Sequence, residues 1–273
     1  MRAFGVGGSI PAVTPPTPHL PHGCAPVTEE PVPGLPALAH PGWARRFPWL
    51  VQGTTTRGAG PRPFDLGLFS DASPPRDVLA AWEELRRWSG SGRVVHAHQV
   101  HEATVRVHAW GPAGLHVAEA CDGHATGAAG VLLAVTTADC VPVFVVAPEA
   151  PAVALLHAGW RGVAAGILER GLAALAEGAD AAAEALHVHL GPAICGDCYE
   201  VGPVVFRGLG LEPPDGPALL DLRAVLARRA LDAGVPAGHV TVSTHCTRCG
   251  DAGLFSHRGG DRQRQVGFLG IRP

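Results

Sequence analysis

The sequence predicts an α/β fold in one large domain, on three observations. Runs of β-branched and apolar residues alternate along the chain with segments of helical spacing, the pattern of strands interleaved with helices. Within residues 131–158 the apolar positions are nearly continuous, as in strands covered on both faces. A chain of 273 residues with 47% hydrophobic and 16% charged side chains is long and apolar enough to bury a full core.

Taken in order, residues 1–40 form a Pro-rich leader without periodicity, expected to be disordered or extended with at most an edge contact. Residues 41–273 are read as the folded domain. Residues 47–53 (FPWLVQG) are its expected first strand. Residues 73–88 read as a helix, with Ser73 as N-cap, Pro74 in the first turn, and Val78, Trp82 and Leu85 along one side. The histidine-rich run 93–110 reads as two strands. His96 and His98 share a face there and are read as hydrogen-bonded strand histidines, whereas His101 falls at a strand end.

The centre of the sequence, residues 131–162, reads as two buried strands, one closing at Cys140 and the other at His157. The glycines of HAGWRG allow a sharp turn. The helical spacing of Val163, Ile167 and Leu168 then places Arg161 at a helix start, where backbone N–H groups favour anions. Residues 185–194 give another strand and residues 195–202 a loop. Residues 219–231 form an amphipathic helix through Leu222, Val225 and Leu226, with Gly234 placed to end it. A short strand at 240–243 and one more in the tail complete the alternation.

Composition excludes several functions. A net charge of −3 without a basic run gives no electrostatic reason to expect nucleic acid. No apolar run reaches the ~18 residues of a membrane span, and the N-terminus lacks the apolar core of a signal peptide, so a cytoplasmic protein is expected. The chain has no lysine, which removes Schiff-base lysines and P-loop lysines. Seven cysteines in such a chain point to metal or thiol chemistry before disulfides.

Two imidazoles and a thiol, His101, Cys140 and His157, make a set found in catalytic zinc sites, where a fourth position is left for water or substrate. Zinc there brings the pKa of bound water toward ~7. A different chemistry also fits: Cys140 as nucleophile and His157 as base of a cysteine hydrolase. Copper-dependent phenol oxidation is a third reading. Against it, the only His-x-His pairs are His96/His98 and His187/His189, and Cys140 stands between Asp139 and Val141 rather than between histidines. Arg57, set among threonines and glycines, is a candidate anion ligand or a solvated loop arginine. Cys195/Cys198 and Cys246/Cys249 are two CxxC pairs, able to form a structural zinc site if the fold joins them, and otherwise reduced pairs or a disulfide.

The segments QVH (99–101), TADCVPV (137–143), HAGWRG (157–162), GPAICGDCYEVG (191–202), CT (246–247), FSHR (255–258) and RQVGF (264–268) resemble the YfiH or laccase-domain family, also called multi-copper polyphenol oxidases. That resemblance implies a four-layer α/β/β/α fold with two mixed sheets. It also implies phosphorolysis of adenosine, inosine and methylthioadenosine to the base and the matching ribose 1-phosphate, with adenosine deamination beside it. Purine nucleosides and phosphate are then the small-molecule partners. By the same resemblance His101, Cys140 and His157 are metal ligands, zinc being expected ahead of copper, and Asp122 belongs to the catalytic set. Arg57 is implied to contact phosphate or substrate, and Arg161 and Arg258 to bind an anion or support the site. Cys198 and Cys246 match family cysteines. The loop PFDLGLF departs from the family pattern, with Asp65 for asparagine and Phe69 for histidine, so a polar substrate contact from that loop is not expected.

Overall fold

The structure is a computed structural model and describes residues 19–273. In chain order the elements are β1 (Ala25–Val27), β2 (Glu30–Pro31), β3 (Ala37–Ala39), α1 (Pro41–Arg46), β4 (Leu50–Thr55), α2 (Pro75–Ser89), β5 (Arg93–Ala97), β6 (Val105–Val107), β7 (Gly114–Ala118), β8 (Gly123–Thr126) and β9 (Val131–Thr137). There follow β10 (Val141–Ala147), β11 (Ala152–Ala158), α3 (Trp160–Ala164), α4 (Ile167–Ala179), β12 (His187–Leu190), β13 (Glu200–Val201), α5 (Pro203–Gly208), β14 (Ala218–Leu219), α6 (Leu222–Asp232), β15 (Val240–Ser243) and β16 (Gln265–Ile271).

Two seven-stranded mixed sheets carry the fold. The first has the order β1-β15-β12-β10-β11-β8-β6, the second β2-β3-β4-β16-β9-β5-β7. Alternation along each strand explains why the central runs are apolar at every position. In β10 and β11, Val143, Val145, Ala154 and Leu156 face α4 and α6, while Phe144, Val146, Val153 and Leu155 point the other way. Those inward side chains meet Val131, Leu133, Val135 and Leu269 of the second sheet. The second sheet's outer face, with Leu132, Ala134 and Phe268, is covered by Val78, Ala81, Trp82 and Leu85 of α2. The layers are therefore helix, sheet, sheet, helix in one domain, the expected α/β/β/α arrangement.

Several elements differ from the sequence reading. The central stretch holds three strands, not two: β9 lies in the second sheet, while β10 and β11 pair in the first. Cys140 therefore sits in the connection that crosses between sheets, and His157 lies inside β11 opposite Pro142. The helix after HAGWRG is two helices, because Gly166 adopts φ 85° and interrupts it. Ser73 caps nothing. The residue before α2 is Pro74, and the helix begins at Pro75, where a missing N–H costs no hydrogen bond.

The leader is not separate from the domain. From residue 19 onward it is ordered: β1 adds an edge strand to the first sheet, and β2 and β3 add to the second. Glu29, between them, is buried and accepts from His189 Nε2 at 2.9 Å and Ser243 Oγ at 2.8 Å. The disorder expected for residues 1–18 concerns positions outside the described residues. Among the described residues no helix is long and apolar enough to cross a membrane.

Candidate metal centre and its cleft

The site is assembled by one buried carboxylate. Asp122, just before β8, is fully buried, and its two oxygens accept from the backbone N–H groups of Val100, His101 and Glu102 at 3.0, 2.9 and 3.0 Å. The same carboxylate accepts from His157 Nδ1 at 2.8 Å. A carboxylate in this state only accepts, so Nδ1 carries a proton and Nε2 is the ring nitrogen available to a metal. Burial pushes the Asp122 carboxyl upward, but the His157 bond and the Glu102 and Val100 N–H groups outweigh it and hold it below its ordinary range. His101 takes φ 61°, a left-handed conformation uncommon outside glycine. The three N–H bonds to Asp122 hold that turn.

The ligand-capable atoms of His101, Cys140 and His157 lie within 4.8 Å of one another, with His101 Nε2 at 4.0 Å from Cys140 Sγ. Gly159 permits this approach: a Cβ there would stand 2.9 Å from His101 Cδ2 and 3.1 Å from Cys140 Sγ. Burial works against charge on both Cys140 and His157. Their mutual attraction, with Asp122 behind the ring and His101 beside the thiol, nonetheless lowers the thiol's pKa and raises the imidazole's. A thiolate and imidazoles anchored by an outer carboxylate are the donor set a zinc-type cation takes, so these residues fit a bound metal.

The cluster forms the floor of a cleft of about 400 Å³ whose walls include Phe69, His98, Thr136, His257 and Arg264. Gln99 locks the His101 turn to β9: its amide donates to Thr136 O at 2.8 Å and accepts from Thr136 N at 2.7 Å and Thr136 Oγ1 at 2.8 Å. Asp139, at φ 88°, accepts from Thr247 Oγ1 at 2.6 Å and Arg258 N at 2.7 Å, fixing the residue next to Cys140.

The structure thus gathers His101, Cys140, His157 and Asp122, and it disperses the arginines. Arg57 donates to Leu254 O at 2.9 Å and Asp261 Oδ2 at 3.0 Å over the Phe255 ring, away from the cleft walls. Arg258 donates to Glu200 O at 3.0 Å and covers Tyr199. Arg161 stacks on Trp160 along a second, smaller hollow that reaches Cys140 from the other side. Asp65 is buried, and its Oδ1 accepts from Gly67 N and Arg264 N, each at 2.9 Å. Phe69 is 56% exposed and meets the His98 ring edge-on at 4.8 Å. His96 is a buried strand histidine bonded to Ala134 O, as read from the sequence, but His98 lies past the strand on the cleft wall. His257 and Arg264 lie in the segments FSHR and RQVGF, yet nothing in their spacing singles them out as cleft residues. The four CxxC cysteines also meet, with their sulfurs within 4.8 Å of one another.

Fold and site together define a four-layer α/β/β/α protein with a His-Cys-His ligand set at the floor of a cleft. The chain belongs to the family described as multi-copper polyphenol oxidoreductase laccase, which matches residues 52–272. It is 36% identical to "Purine nucleoside phosphorylase YlmD" of Geobacillus stearothermophilus, over 85% of this chain and 95% of that protein. It is 35% identical to "Adenosine deaminase RL5" of an unknown prokaryotic organism, over 51% of this chain and 57% of that protein. The crystal structure of YlmD from Geobacillus stearothermophilus superposes with a TM-score of 0.82 at 32% identity, covering 91% of this chain and all of that one.

Proposed function

We propose that this chain is a zinc-dependent purine nucleoside enzyme. It would cleave adenosine, inosine and methylthioadenosine with phosphate and deaminate adenosine. The observation that carries the reading is the anchored His101, Cys140 and His157 cluster at the floor of a cleft lined by Phe69, His98, His257 and Arg264. Relatives named for these two activities support it. A cleft of about 400 Å³ suits a nucleoside-sized ligand.

Zinc held by the three side chains supplies Lewis acidity at the cleft floor. Asp122 keeps His157 in the tautomer that offers Nε2, and Gly159 keeps His101 close to Cys140. Phe69 and His98 offer ring faces against which a purine packs. Arg264, which lines the cleft beside His257, is the cation placed to hold phosphate in line. In phosphorolysis a phosphate oxygen bonds to the anomeric carbon as the bond to the purine nitrogen breaks, and the base leaves with a proton. In deamination water adds to the carbon bearing the amino group and ammonia leaves. Among the described residues the cleft lining carries no carboxylate, so His98 and His257 are the side chains placed to move those protons.

Copper oxidation of phenols is disfavoured by the ligand sets. Among the described residues, only His101-Cys140-His157 and the four CxxC cysteines bring three or more ligand side chains together. His187 and His189 are instead built into the first sheet, stacked on His239 and bonded to Glu29 respectively. The Cys140–His157–Asp122 line also supports a cysteine hydrolase reading.

One experiment separates these. Purified protein is given adenosine with and without phosphate, and with and without chelator, and products are resolved by chromatography. Adenine should appear only with phosphate, inosine with or without it, and both should vanish on chelation. Adenine release indifferent to phosphate would make the chemistry hydrolysis. Activity that survives chelation but is lost to thiol alkylation would favour the hydrolase.

A further inference from the structure

The two CxxC pairs, 51 positions apart at their first cysteines, are joined by the topology. β12 and β15 are parallel neighbours, so the segments leaving them emerge at the same end of the first sheet. Ala193 and Cys246 form a bridge there, and Thr247 N donates to Ala193 O at 3.1 Å. Cys195, Cys198, Cys246 and Cys249 follow directly, with all four Sγ atoms within 4.8 Å of one another. Cys195 Sγ and Cys249 Sγ stand 3.8 Å apart. Four thiolates at ~2.3 Å from a tetrahedral zinc have edges of about 3.8 Å, whereas a disulfide requires ~2.05 Å. Cys246 Sγ also accepts three backbone N–H groups, from Cys195 at 3.3 Å, Arg248 at 3.4 Å and Cys249 at 3.5 Å. Converging amides of this kind stabilise a thiolate held by a metal.

We propose that Cys195, Cys198, Cys246 and Cys249 bind a second, structural zinc ion that clamps the ends of the two parallel strands behind the His101-Cys140-His157 centre. The clamp has a defined reach. Ile194, next to Cys195, donates its N–H to Asp139 O at 3.1 Å, and Thr247, next to Cys246, donates to the Asp139 carboxylate at 2.6 Å. Asp139 precedes Cys140, so the second ion holds in place the connection that delivers the first ion's sulfur ligand. On the other side, Cys198 leads into Tyr199, which lines the small hollow beside Cys140. The assignment does not depend on the nucleoside reading, because its readout is metal content.

The test is elemental analysis of the full chain purified under reducing conditions, with two variants that each remove one centre. Wild type should hold about two zinc ions per chain, and Cys140→Ala and Cys249→Ser about one each. Cobalt replacing zinc in Cys140→Ala should give the intense visible bands of a tetrahedral four-thiolate site, and these should be missing from Cys249→Ser. If Cys249→Ser does not fold, Cys140→Ala decides alone: titrating its thiols with an organomercurial should release zinc in step. Zinc-free Cys140→Ala, iron in place of zinc, or a Cys195–Cys249 disulfide in the non-reduced mass spectrum would each overturn the proposal.

Discussion

Asp122 accepts four hydrogen bonds with two oxygens, and three of them hold the turn that carries His101. Asp122→Asn keeps the size but exchanges an acceptor for a donor facing N–H groups. Metal affinity is expected to fall roughly 10–100-fold, measured by competition with a chromophoric chelator; unchanged affinity would show that the carboxylate only shapes the loop. Arg264→Ala is expected to raise the KM for phosphate with little change in adenosine deamination, which needs no phosphate. Equal loss of both activities would place Arg264 in a structural role. At this scale the sequence was partly legible. Cys140 and His157 stand out as a thiol and an imidazole at the ends of buried runs, whereas reading them with His101 as metal ligands rests on the motifs QVH, TADCVPV and HAGWRG. Arg57 was not legible, because the partner that occupies it, Asp261, is 204 positions away.

Strands were easier to read than the turns between them. The apolar runs of β9, β10 and β11 announce burial on both faces. The crossing from β9 to β10 carries no glycine or proline to mark it, since Asp139 itself takes the left-handed conformation. Without such a mark the stretch reads as two strands where the fold has three. Strands of two or three residues, such as β2, β13 and β14, are too short for any period to register. Between the sheets, Phe144 of β10 packs with Val146, Leu155 and Leu269 and is 1% exposed. Phe144→Ala should cost about 3–5 kcal/mol in chemical denaturation, because neither sheet can collapse into the gap without leaving its outer helices. A cost under about 1 kcal/mol would mean that the sheets slide freely.

For the molecule as a whole, burial keeps several histidines neutral. It pushes His40 down to about 3, His96, His108 and His187 to about 4, and His124 well below its usual value. In the unfolded chain these rings take up protons near ~6.5. Between that value and the folded ones the unfolded state binds more protons, so stability falls as pH drops through the interval. Glu29, whose ionised form is favoured in the fold by His189 and Ser243 despite burial, adds a further loss at still lower pH. Melting temperature should decline steadily from about pH 7 toward pH 4.5; a flat profile would contradict the neutral burial of these rings.

The middle of the second sheet is completed from the far end of the chain. β16, residues 265–271, lies between β4 and β9, whose residues were made more than a hundred positions earlier. During synthesis each of those two strands is expected to keep one edge open to proteases and to other nascent chains until residue 271 has cleared the ribosome. Ribosome-bound chains halted before residue 265 should be digested readily, and resistance should arrive abruptly once the final strand is free to insert between its two neighbours.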